Sequence, residues 1–410
     1  MGIWQPCPQP QPAPRPIFAL VRVPSRFGTC RITMGNNRRE EGDTVLGQVK
    51  SVIGIDMGTS AVKAVEMSLE GGSPVLTGFG HVDVRPGEGQ EVALRELLAS
   101  GSFQSKRASM GVGGQSTVVR YLEMVRMSDA ELRQAIPFEL QSHLPFEVDE
   151  VTYDCQALEL KSSPGQENSE GGKELDTMTV LLAACRKDLI EERLRWVQQE
   201  GLTPVAVNLD LFALGNAWEL AGPAPLLTHE GEGADAPSEQ DQRTTHNERA
   251  VALIDVGAGR TSINVLLAGE TCFSREIPLG GMDMTQAIAR RLSVEANDAE
   301  ALKRESGGPS AEVEAAMLPV IEDLAAELSL SIDYVEHHRG IHVAELLISG
   351  GGLLVPGAVQ HLERAVGRPA RIWSPLEGLR INAERVDLED LEDKASSLVV
   401  ALGLAGKVAA

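Results

Sequence analysis

The sequence predicts an α/β protein of two lobes, and three observations carry that prediction. Val52–Met67, VIGIDMGTSAVKAVEM, reads as an apolar strand, a tight turn at Asp56-Met57-Gly58-Thr59-Ser60 and a second strand from near Val62. An acidic residue ending a strand, followed by glycine and hydroxyl side chains, suits phosphate groups, because turn N–H groups face the oxygens and Gly58 lets them come close. Asp56 is placed to hold a hydrated Mg2+ against the same phosphates. Such turns also occur in plain hairpins. The second observation is therefore the stronger: Val251–Leu267, VALIDVGAGRTSINVLL, repeats strand, Asp255-Val256-Gly257, small residues and strand. A repeat about half a chain apart puts two phosphate loops on facing lobes. Third, Leu346–Pro356, LLISGGGLLVP, is a buried-type strand running into Gly350, Gly351 and Gly352, where backbone can approach a flat base and ribose.

Composition agrees. A chain of 410 residues with 42% hydrophobic residues exceeds one ordinary core, so two lobes are expected. The net charge of −22 argues against nucleic-acid binding, which needs a basic face. The five cysteines stand without paired spacing, so neither zinc nor a disulfide frame is expected and a reducing compartment is the default. No apolar run approaches the length that spans a bilayer, so no direct membrane insertion is expected.

Taken in order, residues 1–50 read as a tail. Its first 33 residues are Pro-rich at the start and carry Arg15, Arg22, Arg26 and Arg31 with no acid. Either they are disordered or translation starts at Met34, and the second reading is favoured. Residues 51–118 begin lobe I: after the hairpin come a strand at Val75–Val84, a short helix at Val92–Leu98, and strand, turn, strand over Ala108–Val119. The Gly111-Val112-Gly113-Gly114 cluster opens no helix, so it reads as a hairpin turn and not as a phosphate loop.

Residues 119–187 form an inserted subdomain. Ser128 and Glu131 make a capping box for a helix to Leu144, with Leu132, Ile136 and Leu140 on one stripe and Pro137 as a kink. Strand-like segments follow at Asp149–Leu158 and Thr177–Cys185, separated by a polar loop at Lys161–Asp176. Lobe I resumes over 188–220 with a helix stopped at Gly201, the strand Val205–Asn208 and a helix through Leu211, Leu214 and Trp218. Residues 221–249 are rich in Gly, Pro, Ser and acids and read as a disordered connection. Lobe II covers 250–342, with a strand at Phe273–Pro278, helices at Asp283–Leu292 and 297–303, and a long helix from Ala311 to about His338. The closing segment 343–410 holds the glycine turn, the helix Ala358–Val366, the strand Ala370–Trp373 and a last helix, Ser396–Val408, assigned to lobe I.

The two acid–glycine hairpins and the glycine turn, in this order, resemble the actin-like ATPase superfamily, with two ribonuclease-H-like lobes around a nucleotide cleft. The stretch RYLEMVRMSDAELRQAIPFELQSHLPFEVDEVTYDCQAL, Arg120–Leu158, narrows the resemblance. With SREIPLGGMDMTQAIAR, Ser274–Arg290, and SPLEGL ending at Leu379, it is similar to the PilM family of type IV pilus assembly. That resemblance implies ATP with Mg2+ in the cleft. Asp56, Gly58, Thr59, Ser60 and Lys63 would form the first phosphate loop, and Asp255, Gly257, Ala258 and Thr261 the second, with Asp56 and Asp255 toward the metal. Glu300 and Lys303 would contact the ribose, and Gly350, Gly351 and Gly352 the adenosine. Plainer readings stand beside these: Lys63 as a solvated strand residue, and Glu300 with Lys303 as an i,i+3 surface pair.

The water-positioning region holds Asn208 and Asp210. Asn208 stands where the family pattern has Asp and cannot act as a base, and Asp210 either serves catalysis or caps the helix. Hydrolysis would then be slow or absent. The resemblance also implies a cytoplasmic protein, held peripherally at the inner membrane by its partners. Its inserted subdomain would capture the N-terminal cytoplasmic tail of a PilN-like membrane protein, through Leu132, Ile136, Leu140, Leu144 and Phe146. Other pilus assembly proteins would join it, and a homo-oligomer stays open. An FtsA-like filament ATPase and the cytoplasmic part of a type II secretion protein are the alternatives.

Overall fold

The computed structural model describes residues 21–22, 51–100, 103–158, 177–222, 250–305 and 308–409. The expected loop at 161–176 and nearly all of the connection 221–249 lie outside them. The first half runs β1 (Val21–Arg22), β2 (Ser51–Met57), β3 (Ala61–Glu70), β4 (Ser73–Asp83), α1 (Gln90–Ala99), β5 (Arg107–Val112), β6 (Thr117–Val125), α2 (Asp129–His143), β7 (Val151–Leu158), β8 (Thr177–Arg186), α3 (Lys187–Gln199), β9 (Thr203–Leu209) and α4 (Asp210–Ala221). The second half runs β10 (Ala250–Val256), β11 (Thr261–Leu267), β12 (Glu270–Ile277), α5 (Gly281–Leu292), α6 (Ala296–Lys303), α7 (Ala311–Arg339), β13 (Val343–Ser349), α8 (Ala358–Val366), β14 (Ala370–Ile372), β15 (Arg380–Ile381), α9 (Leu388–Lys394) and α10 (Val399–Ala409).

The repeat read in the sequence is a repeat of topology. Lobe I orders its strands β1-β9-β5-β2-β3-β4-β15, and lobe II orders its strands β12-β11-β10-β13-β14. In each lobe the acid–glycine hairpin starts an antiparallel meander (β2-β3-β4, β10-β11-β12), and parallel strands add beside its first strand. Strands buried on both faces need continuous apolar runs, and β2, β10 and β13 supply them. Lobe II closes over one core of Ile254, Ile263, Leu324, Leu328, Leu346 and their neighbours.

The last helix returns to lobe I. Val399, Ala401, Leu402, Leu404 and Ala405 are buried among Val52, Val65, Ala213 and Ala217. Small residues set that approach: a Cβ on Gly54 would lie 2.1 Å from the Ala401 carbonyl oxygen, and one on Gly403 1.9 Å from that of Ala213.

The inserted subdomain is a three-stranded sheet, β6-β8-β7, with α2 on one face. Its capping box forms as expected: the Ser128 N–H donates to Glu131, and the Glu131 N–H donates to Ser128 Oγ.

Two expectations need correction. Gly111–Gly114 is no hairpin turn, because β5 lies in the lobe I sheet and β6 in the subdomain sheet. A glycine cluster reports that the backbone must bend or pack closely, and says nothing about which strand comes next. The tail is also not structureless throughout: Val21 and Arg22 pair antiparallel with Val207 and Ala206, at the edge of lobe I. The rest of it lies outside the described residues.

Candidate nucleotide cleft

The first hairpin sets Asp56 opposite Lys63 in register, and the Lys63 ammonium donates to Asp56 Oδ2 at 2.9 Å. Burial alone would lower the Lys63 pKa, but the carboxylates of Asp56, Asp255 and Asp210 outweigh it and raise the pKa. Lys63 is therefore an interior cation balancing several acids, and the solvated-strand reading fails. Gly58 is required by space, since a Cβ there would lie 2.8 Å from the Ala61 carbonyl oxygen. Thr59 and Ser60 stand exposed at the tip. Gln90, at the start of α1, donates its amide to the carbonyls of Met57 (3.0 Å) and Gly58 (2.7 Å) and pins the turn.

The second hairpin meets the first. A Cβ on Gly259 would lie 3.4 Å from Thr59 Oγ1, so the two turns face each other across the gap between lobes. Asp255 accepts from Ser349 Oγ at 3.1 Å, and burial raises its pKa against the pull of Lys63. The turn carbonyls of Gly257 and Ala258 accept the N–H groups of Gly281 (2.9 Å) and Met282 (2.7 Å), at the start of α5. Thr261, expected to face phosphate, is fully buried and donates to the Leu279 carbonyl at 2.8 Å. It braces the hairpin from inside.

The glycine turn after β13 packs on the second hairpin. Gly350 has φ +84°, and a Cβ there would lie 2.4 Å from the Val256 carbonyl oxygen. The Gly352 N–H donates to that same oxygen at 2.8 Å, while Gly351 has open space around its Cβ position. Glu300 and Lys303 do pair, at 2.6 Å, but not on the surface. The Lys303 side chain is 6% exposed, and its ammonium also donates to the Gly281 carbonyl (3.0 Å) and Thr285 Oγ1 (2.7 Å). The lysine thus ties α6 to the N-terminus of α5. Of the pair, Glu300 keeps more solvent access.

These residues fit a magnesium nucleotide. Two facing turns built on glycine, two carboxylates at the strand ends and one lysine between them match triphosphate with a hydrated hard cation. Among the described residues no group of three or more His, Cys, Asp and Glu could hold a metal, so phosphate and water would complete its shell.

Behind the turns lies an ion-pair cluster. Asn208 is buried, with Oδ1 accepting the N–H of the next residue, Leu209, at 2.9 Å. Asp210 does not cap α4: it is the first helical residue, and its Oδ2 accepts from Arg260 at 2.6 Å. Its other oxygen is buried without a hydrogen-bond partner. Burial, with Asp56 and Glu276 close by, pushes its pKa up to about 7 against the pull of Arg260. Arg260 also pairs with Glu276 at 3.2 Å.

Sequence reasoning missed Gln90, Arg260, Glu276 and Ser349. Arg260 sits inside the quoted second hairpin, and an arginine among the small residues of a phosphate turn was the available signal. Its partner Asp210 lies 50 residues away, on the other lobe.

In the subdomain, Leu132, Ile136 and Leu140 are buried against Leu122, Met178, Val180 and Leu182. Their side chains are core and offer no free surface, a correction to the expected partner stripe. Leu144 and Phe146 are half-buried, and among the described residues the exposed large apolar side chains here are Phe138 and Val125.

Two topologically repeated lobes, facing acid–glycine hairpins and a glycine turn on the second define a protein of the actin-like ATPase fold. The family model of the type IV pilus assembly protein PilM matches residues 54–408, and the chain belongs to that family. A solved PilM–PilN type IV pilus biogenesis complex superposes with a TM-score of 0.71 at 24% identity, covering 89% of this chain and 100% of that one. The ethanolamine utilization protein EutJ of Escherichia coli strain K12 is 32% identical over 111 residues, 26% of this chain and 36% of EutJ. The cell division protein FtsA of Bacillus subtilis strain 168 is 42% identical over 57 residues, 14% of this chain and 13% of FtsA. The match thus spans about a third of EutJ and about an eighth of FtsA. Among the described residues no helix is long and apolar enough to cross a membrane.

Proposed function

We propose that the protein binds Mg-ATP between its lobes and serves type IV pilus assembly as a nucleotide-responsive scaffold at the cytoplasmic face of the inner membrane. The observation that carries this reading is the meeting of the two hairpin turns, with Asp56, Asp255 and Lys63 behind them. Asp56, Gly58, Thr59, Ser60 and Lys63 hold phosphate from one side, and Asp255, Gly257 and Ala258 from the other. Gly350, Gly351 and Gly352 receive the adenosine, with Glu300 toward the ribose. Asp56 and Asp255 face the magnesium, which when bound neutralises phosphate charge. Asp210 is an acid at the rear of the cleft whose pKa is pushed up to about 7, and its pairing with Arg260 is consistent with slow turnover at most.

The test of nucleotide binding is thermal shift. Millimolar ATP should raise the melting temperature more with Mg2+ than with a chelator, by mass action. Asp56→Ala should remove the metal-dependent part, and no shift in the wild type would sink the assignment.

The partner assigned to the inserted subdomain is the N-terminal cytoplasmic tail of a PilN-like inner-membrane protein. The strand β7 forms a sheet edge, and Phe138, Leu144 and Phe146 supply apolar surface around α2, which suits an extended apolar segment. Titration with the isolated tail should show binding to wild type and none to Phe146→Glu. Equal binding by both proteins would refute the site, and binding by neither would refute the partner.

A further inference from the structure

The segment between β5 and β6, including Gly113 and Gly114, lies where three parts of the molecule converge. Gly114 donates its N–H to both carboxylate oxygens of Glu276, at 2.9 and 3.1 Å. Glu276 belongs to β12 of lobe II, while Gly114 is the root of the inserted subdomain. The cation that balances Glu276 is Arg260, on the second phosphate hairpin. The same guanidinium reaches Asp210 on α4 of lobe I. Gly113 has no room for a side chain: its Cβ would lie 2.5 Å from Arg260 Nη2 and 2.8 Å from both Asp210 Oδ2 and Glu276 Oε1. Further along β12, Ser274 Oγ and the Tyr121 hydroxyl of β6 are 3.1 Å apart, and the Phe273 and Tyr121 rings stack at 6.0 Å. On its other face the subdomain sheet packs into lobe I, where Leu181, Ala183 and Cys185 join the core of Ile55, Met110 and Leu209. The subdomain is therefore seated on both lobes at once.

We propose that Arg260 is a phosphate-responsive positioning residue that couples the cleft to the seat of the inserted subdomain. The inference rests on the Mg-nucleotide reading of the cleft. Arg260 is the hairpin's own cation, its side chain is 28% exposed, and its planar fork suits a phosphate oxygen as well as a carboxylate. A terminal phosphate at the second hairpin brings several negative charges into competition with Asp210 and Glu276. When Arg260 turns to it, Glu276 is left a half-buried carboxylate without its cation. The Gly114 N–H bond that Glu276 accepts is then re-formed elsewhere, and the root of the subdomain shifts. A diphosphate lacks the competing group and leaves the latch closed. The coupling is reciprocal, so a partner on the subdomain alters affinity for the triphosphate more than for the diphosphate.

Hydrogen exchange on the full chain tests this, with no nucleotide, with Mg-ADP and with Mg-AMPPNP, each checked for binding by thermal shift. Wild type should exchange over residues 113–118 and 274–277 at least about fivefold faster with Mg-AMPPNP than with Mg-ADP. Arg260→Gln should exchange fast there in all three states. Arg260→Lys, which keeps the charge without the fork, should retain the protected state and show a reduced nucleotide response, and it serves if Arg260→Gln does not fold. Binding of both nucleotides with identical exchange in wild type overturns the coupling and leaves the cleft assignment standing. So does a full nucleotide response in both variants. No thermal shift with either nucleotide overturns the cleft assignment and the coupling with it.

Discussion

The two phosphate hairpins share one plan and differ in where they find their partners. In the first, Asp56 is balanced within its own hairpin, by Lys63 at the register position opposite. In the second, that register position is Ser262, and Asp255 takes its hydrogen bond from Ser349 on another strand. The turn carbonyls follow suit. A side chain, Gln90, serves the first turn, while backbone N–H groups of α5 serve the second. The first hairpin thus hydrogen-bonds its acid within itself, and the second is wired outward, through Arg260 to Asp210 and through Glu276 to Gly114. One binding plan can pair its acid inside the hairpin on one lobe and with a distant strand on the other.

The largest expected effect comes from Lys63→Ala. It leaves the interior carboxylates of Asp56 and Asp255 without their shared cation and should cost about 3–5 kcal/mol in denaturant unfolding. A loss under about 1 kcal/mol would mean that the first hairpin does not rely on its internal pair.

Asp210 tests the outward wiring through pH. Its folded pKa, about 7, lies above the ordinary 3.8, so the fold keeps a proton that the unfolded chain gives up. Stability should therefore fall as pH climbs between those values, by at most about 1.4 kcal/mol per pH unit from this group. In Asp210→Asn that part of the slope should vanish. An unchanged slope would remove Asp210 from the titrating circuit.

Ser349→Ala, which takes one hydrogen bond from Asp255, should cost about 1 kcal/mol, well below the loss at Lys63. Comparable losses for the two would erase the contrast between the hairpins. The smallest effect is expected for Gln90→Ala, about 0.5–1 kcal/mol, because it removes neutral, part-buried hydrogen bonds beside the exposed tip. No single side-chain deletion can do the same to the second turn, whose carbonyls are held by main chain.

Those hairpins were the most legible part of the sequence, because an apolar run, an acid and a glycine are local signals that burial does not override. The glycines of the Gly350 turn were legible for the same reason. Lys303 was not: a lysine three residues from a glutamate looks solvated, and only the packing of α6 on α5 buries its ammonium against the Gly281 carbonyl. The helix stripe Leu132, Ile136 and Leu140 was correctly seen as apolar, yet which surface it covers depends on a sheet partly built from β8, a distant strand. Arg260 stayed hidden because its meaning depends on Asp210 and Glu276, which the fold brings from other elements. Gly111–Gly114 misled by analogy with turns that join neighbours in one sheet.

The return of α10 to lobe I has a consequence for synthesis. The helix fills the space between β2, β3 and α4, yet it is made only after the whole of lobe II. A ribosome elongating at roughly 5–20 residues per second leaves that groove open for on the order of 10–40 s. During that interval Val52, Val65, Ala213 and Ala217 lack their final cover. The nascent first lobe is a natural client for a holding chaperone, and a chain cut short before residue 399 would present the same apolar surface to the cell's degradation machinery for good.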